Sequence, residues 1–394
     1  MDNKNIKILL FSSLFPHQYE PTLGIFVENR LRHLVATENV EAKVVAPVPY
    51  FPFKNKIFGR YGRAGAVPKR ELRHDIDIYH PRFLTIPKLG ERFNPTALYK
   101  SAISRLETLI SDGFDFDIID AHYLYPDGVA AMKLAETLGK PFTLTARGSD
   151  VTQIARQDPV ARQQILEAID KSYKTITVSS SLREELIQQG ADPEKITVLR
   201  NGVDTDRFFP QERDKIRNDL NLTGNTMIYA GWLIARKRLD IVLEVTLKIP
   251  DLTTLIVGEG PERDKLEQQA NALGIMNRAV FLGQKKPEEM AKYYSSADVL
   301  LLPSDREGWA NVLLEAQACG TPVVTRDVGA AGDIVTNQNV GRIVEGDDPM
   351  VIAQSVQSLL SSNVDRNLVR EHACKYSWDA TSLGQYEIFR DAVS

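Results

Sequence analysis

Only two cysteines, Cys319 and Cys374, occur in 394 residues. They lie far apart in apolar or helical surroundings, so no disulfide framework staples the chain, and both read as reduced cytosolic thiols. Long hydrophobic runs are missing as well. Nothing approaches the roughly 20 apolar residues of a membrane-spanning helix. The N-terminal MDNKNIKILLFSSLFP holds an apolar run of about seven residues, too short for a signal sequence, and reads as a first strand. An excess of positive charge is absent: 48 Lys and Arg stand against 52 Asp and Glu, a net charge of -4. That argues against a general nucleic-acid binder. No short-period repeat, low-complexity tract or zinc-type spacing of histidine and cysteine appears. The acid-x-acid strings that begin at Asp75, Asp115 and Asp204 read as strand or turn residues, so neither a metal nor another cofactor is expected.

What is present is an ordinary globular composition, 43% hydrophobic and 25% charged, in a chain long enough for two domains of roughly 200 residues. Short apolar runs alternate with amphipathic spacers: IKILLFSS, LGIFVENRLRHL, AKVVAPV, DIIDAHY, DGVAAMKLAETLG, PFTLTARGSD, TITVSSSLREELIQQG and KITVLRNGVD. This is the pattern of βαβ units around a buried parallel sheet. It restarts after residue 204 with NTMIYAGWL, TTLIVGEG, PERDKLEQQANALG, AVFLGQ, DVLLLPS and TPVVTRD. The expected architecture is α/β, two Rossmann-like parallel-sheet domains facing a central cleft. Residues 1–204 form the first and 205–375 the second, and a helix over 376–394 packs back onto the first. One irregular stretch stands out, residues 50–74, where aromatic side chains mix with Lys54, Lys56, Arg60, Arg63, Lys69 and Arg70. It reads either as a solvated insertion or as an interfacial segment for an anionic membrane.

Ligands of open α/β sheets bind at the carboxyl ends of strands, and four strand-to-helix turns carry unusual residues. Gly24 precedes the helix IFVENRLRHL, where backbone N–H groups can approach an anion. The turns AHYLYPDG and LTARGSD bring His122, Tyr123, Asp127, Arg147 and Asp150, although Arg147 and Asp150 can equally be a structural pair. In AGWLIARKRLD, Gly231 ends a strand and Arg236, Lys237 and Arg238 gather before a helix, where cations can neutralise a diphosphate. The neighbouring GEGPERDKL opens room with Gly258, Gly260 and Pro261. The fourth turn is DREGWANVLLEAQACG. Glu307 falls in the turn and Glu315 inside the following helix, with N–H groups near Trp309, Ala310 and Asn311 between them. Donors flanked by two acceptors of vicinal hydroxyls suit a nucleotide sugar, which has hydroxyls at both ends and phosphates between.

With these stretches in this order, and with two glutamates separated by seven residues, the chain resembles the retaining glycosyltransferases of family 4, which have the GT-B fold. The resemblance runs over essentially the whole chain. It implies transfer of a hexosyl unit from a nucleoside diphosphate sugar, with a UDP-sugar favoured, to a glycan or lipid-linked acceptor of bacterial surface-polysaccharide synthesis. It assigns Glu307 to hydroxyls of the donor sugar, Glu315 to the ribose, Lys237 to the diphosphate and Gly24 to the loop over the donor phosphates. Gly231, Gly258, Trp309, Ala310, Asn311 and Val312 would line the donor, and His122, Tyr123, Arg147 and Asp150 the acceptor side. Two positions depart from the family pattern. Trp232 stands where many members have an arginine, which makes Arg236 the candidate second cation. Arg147 stands where relatives with small phosphorylated acceptors often have histidine.

The resemblance implies catalysis without a metal, in the cytoplasm, with a membrane's inner face as a candidate surface. A dinucleotide-dependent oxidoreductase would need a glycine fingerprint after the first strand, which FSSLFPHQYEPTLG lacks. A GT-B sugar-nucleotide epimerase and a non-catalytic sugar-nucleotide binder remain as alternatives.

Overall fold

In the computed structural model, residues 5–51, 59–84 and 93–394 are described. They form two compact units, Met1–Asn201 together with Trp378–Ser394, and Gly202–Ser377. Ten strands belong to the first unit: β1 (Ile6–Phe11), β2 (Val40–Val45), β3 (Val48–Pro49), β4 (Arg70–Arg73), β5 (Ile76–Tyr79), β6 (Arg82–Phe83), β7 (Ile118–His122), β8 (Phe142–Ala146), β9 (Lys174–Thr177) and β10 (Ile196–Val198). Eight of them make one sheet in the order β10-β9-β8-β7-β1-β2-β5-β4, while β3 and β6 pair separately. The large sheet is parallel except for β4, which runs antiparallel to β5. Its central strands β7 and β8 are buried at every residue. That is why they read as unbroken apolar runs, since helices cover both faces of such a sheet.

The second unit holds β11 (Asn225–Ala230), β12 (Leu252–Val257), β13 (Ala279–Gly283), β14 (Val299–Leu302), β15 (Val323–Arg326) and β16 (Gly341–Val344). They form an all-parallel sheet in the order β13-β12-β11-β14-β15-β16. Among the parallel strands the order reverses between β1 and β7 in the first unit and between β11 and β14 in the second. The crevice beyond the carboxyl ends of those strand pairs is where a doubly wound sheet accepts a ligand.

Part of the stretch expected to be irregular is regular. Gly59–Ala66 is helical, and Arg70–Arg73 is the edge strand β4. The alternating exposed and half-buried residues of β4, with Arg70 paired to Asp77 at 2.6 Å, give the sheet a charged edge that discourages further strand pairing. Lys54 and Lys56, on which the interfacial reading also rested, lie outside the described residues, as does the Arg60 side chain.

The helix Trp378–Ala392 belongs to the first unit. It lies against the helix Ile25–Thr37, and its Tyr386 and Phe389 join Leu31, Leu34, Ile6, Ile8 and Val44 in one apolar core. His33 stacks on Trp378 with ring centroids 5.2 Å apart. Phe389 is fully buried, and truncating a buried phenylalanine costs about 3–5 kcal/mol. Phe389→Ala should therefore lower the unfolding free energy of the first unit, read by urea denaturation, by that order. A loss below about 1 kcal/mol would show that the terminal helix is an appendage and not part of the core.

Candidate functional site

At the reversal point of the second unit, β11 gives way to Gly231 and Trp232, and β14 to the turn that carries Glu307. Glycine is required close by. A side chain at Gly258 would place its Cβ 1.9 Å from the Gly231 carbonyl oxygen, so only glycine lets the ends of β11 and β12 approach this closely. Lys237 Nζ donates to Glu307 Oε1 at 2.5 Å, with side-chain exposures of 13% and 11%. These residues are 70 apart in sequence and meet because β11 and β14 are neighbours. The turn around Glu307 is braced by the turn that follows β15, where Gly329 lies against the Glu307 carbonyl.

The three adjacent basic residues have separate fates. Lys237 takes the carboxylate. Arg236 is exposed and donates through one guanidinium nitrogen to the Arg306 carbonyl at 3.0 Å. Arg238 adopts a left-handed backbone with φ of 53° and pairs with Asp240, Asp305 and Asp347 at 3.0, 3.2 and 2.9 Å. The sequence reading gathers all three cations at one turn, whereas the structure commits Arg238 to a carboxylate cluster that fastens the turn.

Glu315 lies one turn further along the helix Asn311–Ala318. Its Oε2 accepts from the hydroxyl of fully buried Tyr294 at 2.8 Å. Burial pushes its carboxyl above the usual glutamate range and pushes the nearby Cys319 thiol up to about 12, which makes that cysteine unreactive. Trp309 and Ala310 are buried just before the helix. The Asn311 N–H, expected among the free donors, is bonded to the Trp309 carbonyl at 3.2 Å. The Trp309 indole nitrogen and the Asn311 side-chain oxygen are buried without a hydrogen-bond partner.

The first unit has a second constellation at its own reversal point. Gly24, at the start of the helix Ile25–Thr37, has φ of 62°, and a Cβ there would fall 2.1 Å from the Leu14 carbonyl oxygen. The loop after β1 therefore presses onto the helix start. Asp127 fastens that loop by accepting from the Ser13 N–H and, at 3.0 Å, from the Ser13 hydroxyl. Burial drives the Asp127 carboxyl up to about 7 against those bonds.

His122 and Asp150, expected to face an acceptor, are 1% and 0% exposed. Asp150 accepts four backbone N–H groups, from Leu124, Arg147, Gly148 and Val151, and so shapes the turn without pairing with the Arg147 guanidinium. Both ring nitrogens of His122 are engaged, by Asp120 at 2.9 Å and by Arg147. These two residues build the wall, while Tyr123 and Arg147 remain half-buried on it. Tyr123 has φ of 84°, and its hydroxyl meets Ser149 at 2.7 Å. Strain of this kind concentrates at ligand sites. Sequence reasoning missed Tyr294, Asp120, Arg30 and Gln385, and Asp127, noted as a polar group of the AHYLYPDG turn, proves to fasten the loop after β1. The one available signal was a charged residue inside an apolar run, as with Asp120 in DIIDAHY.

The chain matches the family described as "Glycosyltransferase Family 4" over residues 24–207 and that described as "Glycosyl transferases group 1" over residues 210–376. It is 31% identical over 329 residues to a D-inositol 3-phosphate glycosyltransferase of Rhodococcus erythropolis, covering 76% of this chain and 73% of that protein. It is 27% identical over 336 residues to the putative teichuronic acid biosynthesis glycosyltransferase TuaC of Bacillus subtilis, with 84% and 83% covered. Among solved structures it resembles a sucrose-phosphate synthase of Thermosynechococcus elongatus, with TM-score 0.78, 19% identity and 98% and 99% of the two chains covered. It also resembles HepE of Anabaena, solved with UDP, with TM-score 0.73, 18% identity and 98% and 100% covered.

The buried Glu315 carboxyl carries a stability cost with a definite sign. Its folded pKa lies above the ordinary 4.5, so the native state holds this proton more tightly than the unfolded chain does. The resulting stability is complete below the unfolded value and is lost as pH rises towards the folded one. In ligand-free thermal unfolding, wild type and Glu315→Gln should nearly coincide at the acid end. They should separate as pH rises, with the variant the more stable at neutral pH. A gap independent of pH, or a wild type more stable at neutral pH, would contradict this.

Proposed function

We propose that this chain, which belongs to glycosyltransferase family 4 and has the two-domain GT-B fold, transfers a hexosyl unit from a UDP-sugar with retention of anomeric configuration. The acceptor is a glycan or lipid-linked molecule of surface-polysaccharide synthesis. The observation that carries the reading is the Lys237–Glu307 pair at the reversal point of the second sheet, with Glu315 on the helix that follows. The preference for UDP is supported by the solved HepE complex with UDP, and the polysaccharide role by the name that TuaC bears.

In this reading Lys237 neutralises the diphosphate as the glycosidic bond breaks, while Glu307 accepts hydrogen bonds from sugar hydroxyls. Lys237 and Glu307 bond to each other, and the donor's phosphate and hydroxyl groups would exchange with that bond. Glu315, held by Tyr294, accepts from the ribose hydroxyls. Gly24 is the residue that the family resemblance assigns to the donor phosphates. Arg236 has one guanidinium nitrogen on the Arg306 carbonyl and serves as an outer cation in place of the arginine that Trp232 replaces. Fixed cations aimed at developing charge cost little reorganisation, so no metal is required. Tyr123 and Arg147 face the acceptor. The enzyme acts in the cytoplasm, with the basic segment 50–74 meeting the inner membrane surface. No helix among the described residues is long and apolar enough to cross a membrane.

The two glutamates should fail differently. Glu315→Gln should weaken free UDP in calorimetry and raise the donor KM, while turnover at saturating donor survives. Glu307→Gln releases Lys237 from its carboxylate, so UDP should bind no more weakly than to wild type, and turnover itself should fall because the Glu307 contact must hold while the ring flattens. Lys237→Ala should lower turnover by about 10²- to 10³-fold. Identical profiles for the two glutamate variants, or a full-speed Lys237→Ala, would refute the assignment. Conversion of the donor with no acceptor present would identify an epimerase instead.

A further inference from the structure

The polar groups behind Arg147 form a closed circuit. Arg30 Nε donates to Gln385 Oε1 at 2.6 Å, and Gln385 Nε2 donates to Asp120 Oδ2 at 2.8 Å. His122 Nε2 lies 2.9 Å from the same carboxylate oxygen, and Arg147 donates to His122 Nδ1. Arg147 and Arg30 then converge on Asn201 Oδ1, at 3.3 and 3.4 Å. The circuit draws on the helix Ile25–Thr37, β7, the turn after β8, the last residue before the chain leaves the first unit, and the C-terminal helix. Arg30, Asp120, His122 and Gln385 are each 1% exposed, and Asn201 is 4% exposed.

Asp120 sets its sense. With Gln385 on one oxygen and the Thr143 hydroxyl on the other at 3.0 Å, the carboxylate accepts and the His122 hydrogen sits on Nε2. The His122 Nδ1 is thereby a bare acceptor for Arg147. Burial, with Arg147 and Arg30 nearby and Asp120 pulling the other way, takes the His122 ring down to about 4, and it stays neutral. Both acceptors that hold the Arg147 guanidinium are therefore uncharged. The Phe26 ring packs 5.1 Å from its Cζ, and its Nε is buried without a hydrogen-bond partner. Among the described residues no carboxylate pairs with it, since Asp150 spends its oxygens on backbone N–H groups. A cation that is fixed and partly desolvated without a touching counter-charge is costly for folding alone, and such groups collect where a ligand supplies the missing charge.

We propose that Arg147 receives an anionic group of the acceptor, a carboxylate or a phosphate, and that Asp120, Gln385 and Arg30 are positioning residues that hold it ready. The planar guanidinium fork matches either oxyanion. This rests on the reading that the acceptor lies at the carboxyl ends of β7 and β8.

The test is calorimetry on the UDP-loaded enzyme with three probes: nitrophenyl glucuronide, nitrophenyl glucoside 6-phosphate and nitrophenyl glucoside. Wild type should bind at least one acidic probe about 10- to 100-fold tighter than the neutral one, the size of a charge-assisted hydrogen-bonded contact. Whichever acid is preferred identifies the carboxylate or the phosphate as the source. Arg147→Met should remove that preference and leave the neutral probe unchanged, and Arg147→Lys should restore part of it. Gln385→Met should reduce the preference without weakening the neutral probe, whereas a purely structural defect would weaken both. Nitrogen NMR of labelled histidine should show His122 as the Nε2–H tautomer in wild type. No acidic preference in wild type, a preference that survives Arg147→Met, or a different His122 tautomer would overturn the proposal. UDP affinity is read in a separate titration, so a failure of the donor assignment is not mistaken for a failure of this one.

Discussion

The parallel strands at the centre of both sheets are covered on two faces, and a charged side chain placed in their middle would have to leave water with little to replace it. Chemistry is therefore displaced to where the strands end, and the reversal of strand order decides which ends stand apart enough to hold a ligand. In the second unit that constraint brings Lys237 and Glu307 together across 70 residues of chain. A pair this shielded gains attraction from the lower dielectric and loses hydration in the same measure. It gives little net stability and a ready exchange of partners, which suits the donor site proposed for it.

Around that pair the protein separates charges that stand side by side in sequence. Arg238 accepts a left-handed backbone in return for three carboxylates, and Arg236 reaches a carbonyl while staying at the surface. Lys237 is the one of the three that pairs with Glu307. The same separation operates in the first unit. Asp120 is the exception to an apolar strand, and it survives there because Gln385, Thr143 and His122 all donate to it. Its carboxylate fixes a neutral histidine, which in turn aims an arginine.

Much of the fold was legible because its signals are local. Runs such as IKILLFSS and NTMIYAGWL have the length and composition of buried strands, and Gly24 and Gly320 mark a helix start and a helix end. The spacing of Glu307 and Glu315 places one in a turn and the other in a helix, and the family resemblance supplied the order of the parts. Illegible features depend on partners remote in sequence. Arg30 sits in an amphipathic helix where any charged residue passes for a solvated one, and its partner Gln385 is 355 positions away. Tyr294 gave no sign that it would hold Glu315. His122 and Asp150 read as exposed site groups because a polar residue at a strand end looks the same whether it faces a ligand or braces the wall. The edge strand Arg70–Arg73 was hidden by its charges, which suit an edge and not a core.

The central claim is that these groups move a sugar from a nucleotide to an acceptor on one face of the anomeric carbon. Time-resolved proton NMR of the first product formed from an α-linked UDP-sugar tests it most directly. An α-linked product is expected from the earliest time points, with UDP released in equal amount. A β-linked first product, or UDP-sugar consumed without a glycosidic product, would contradict it.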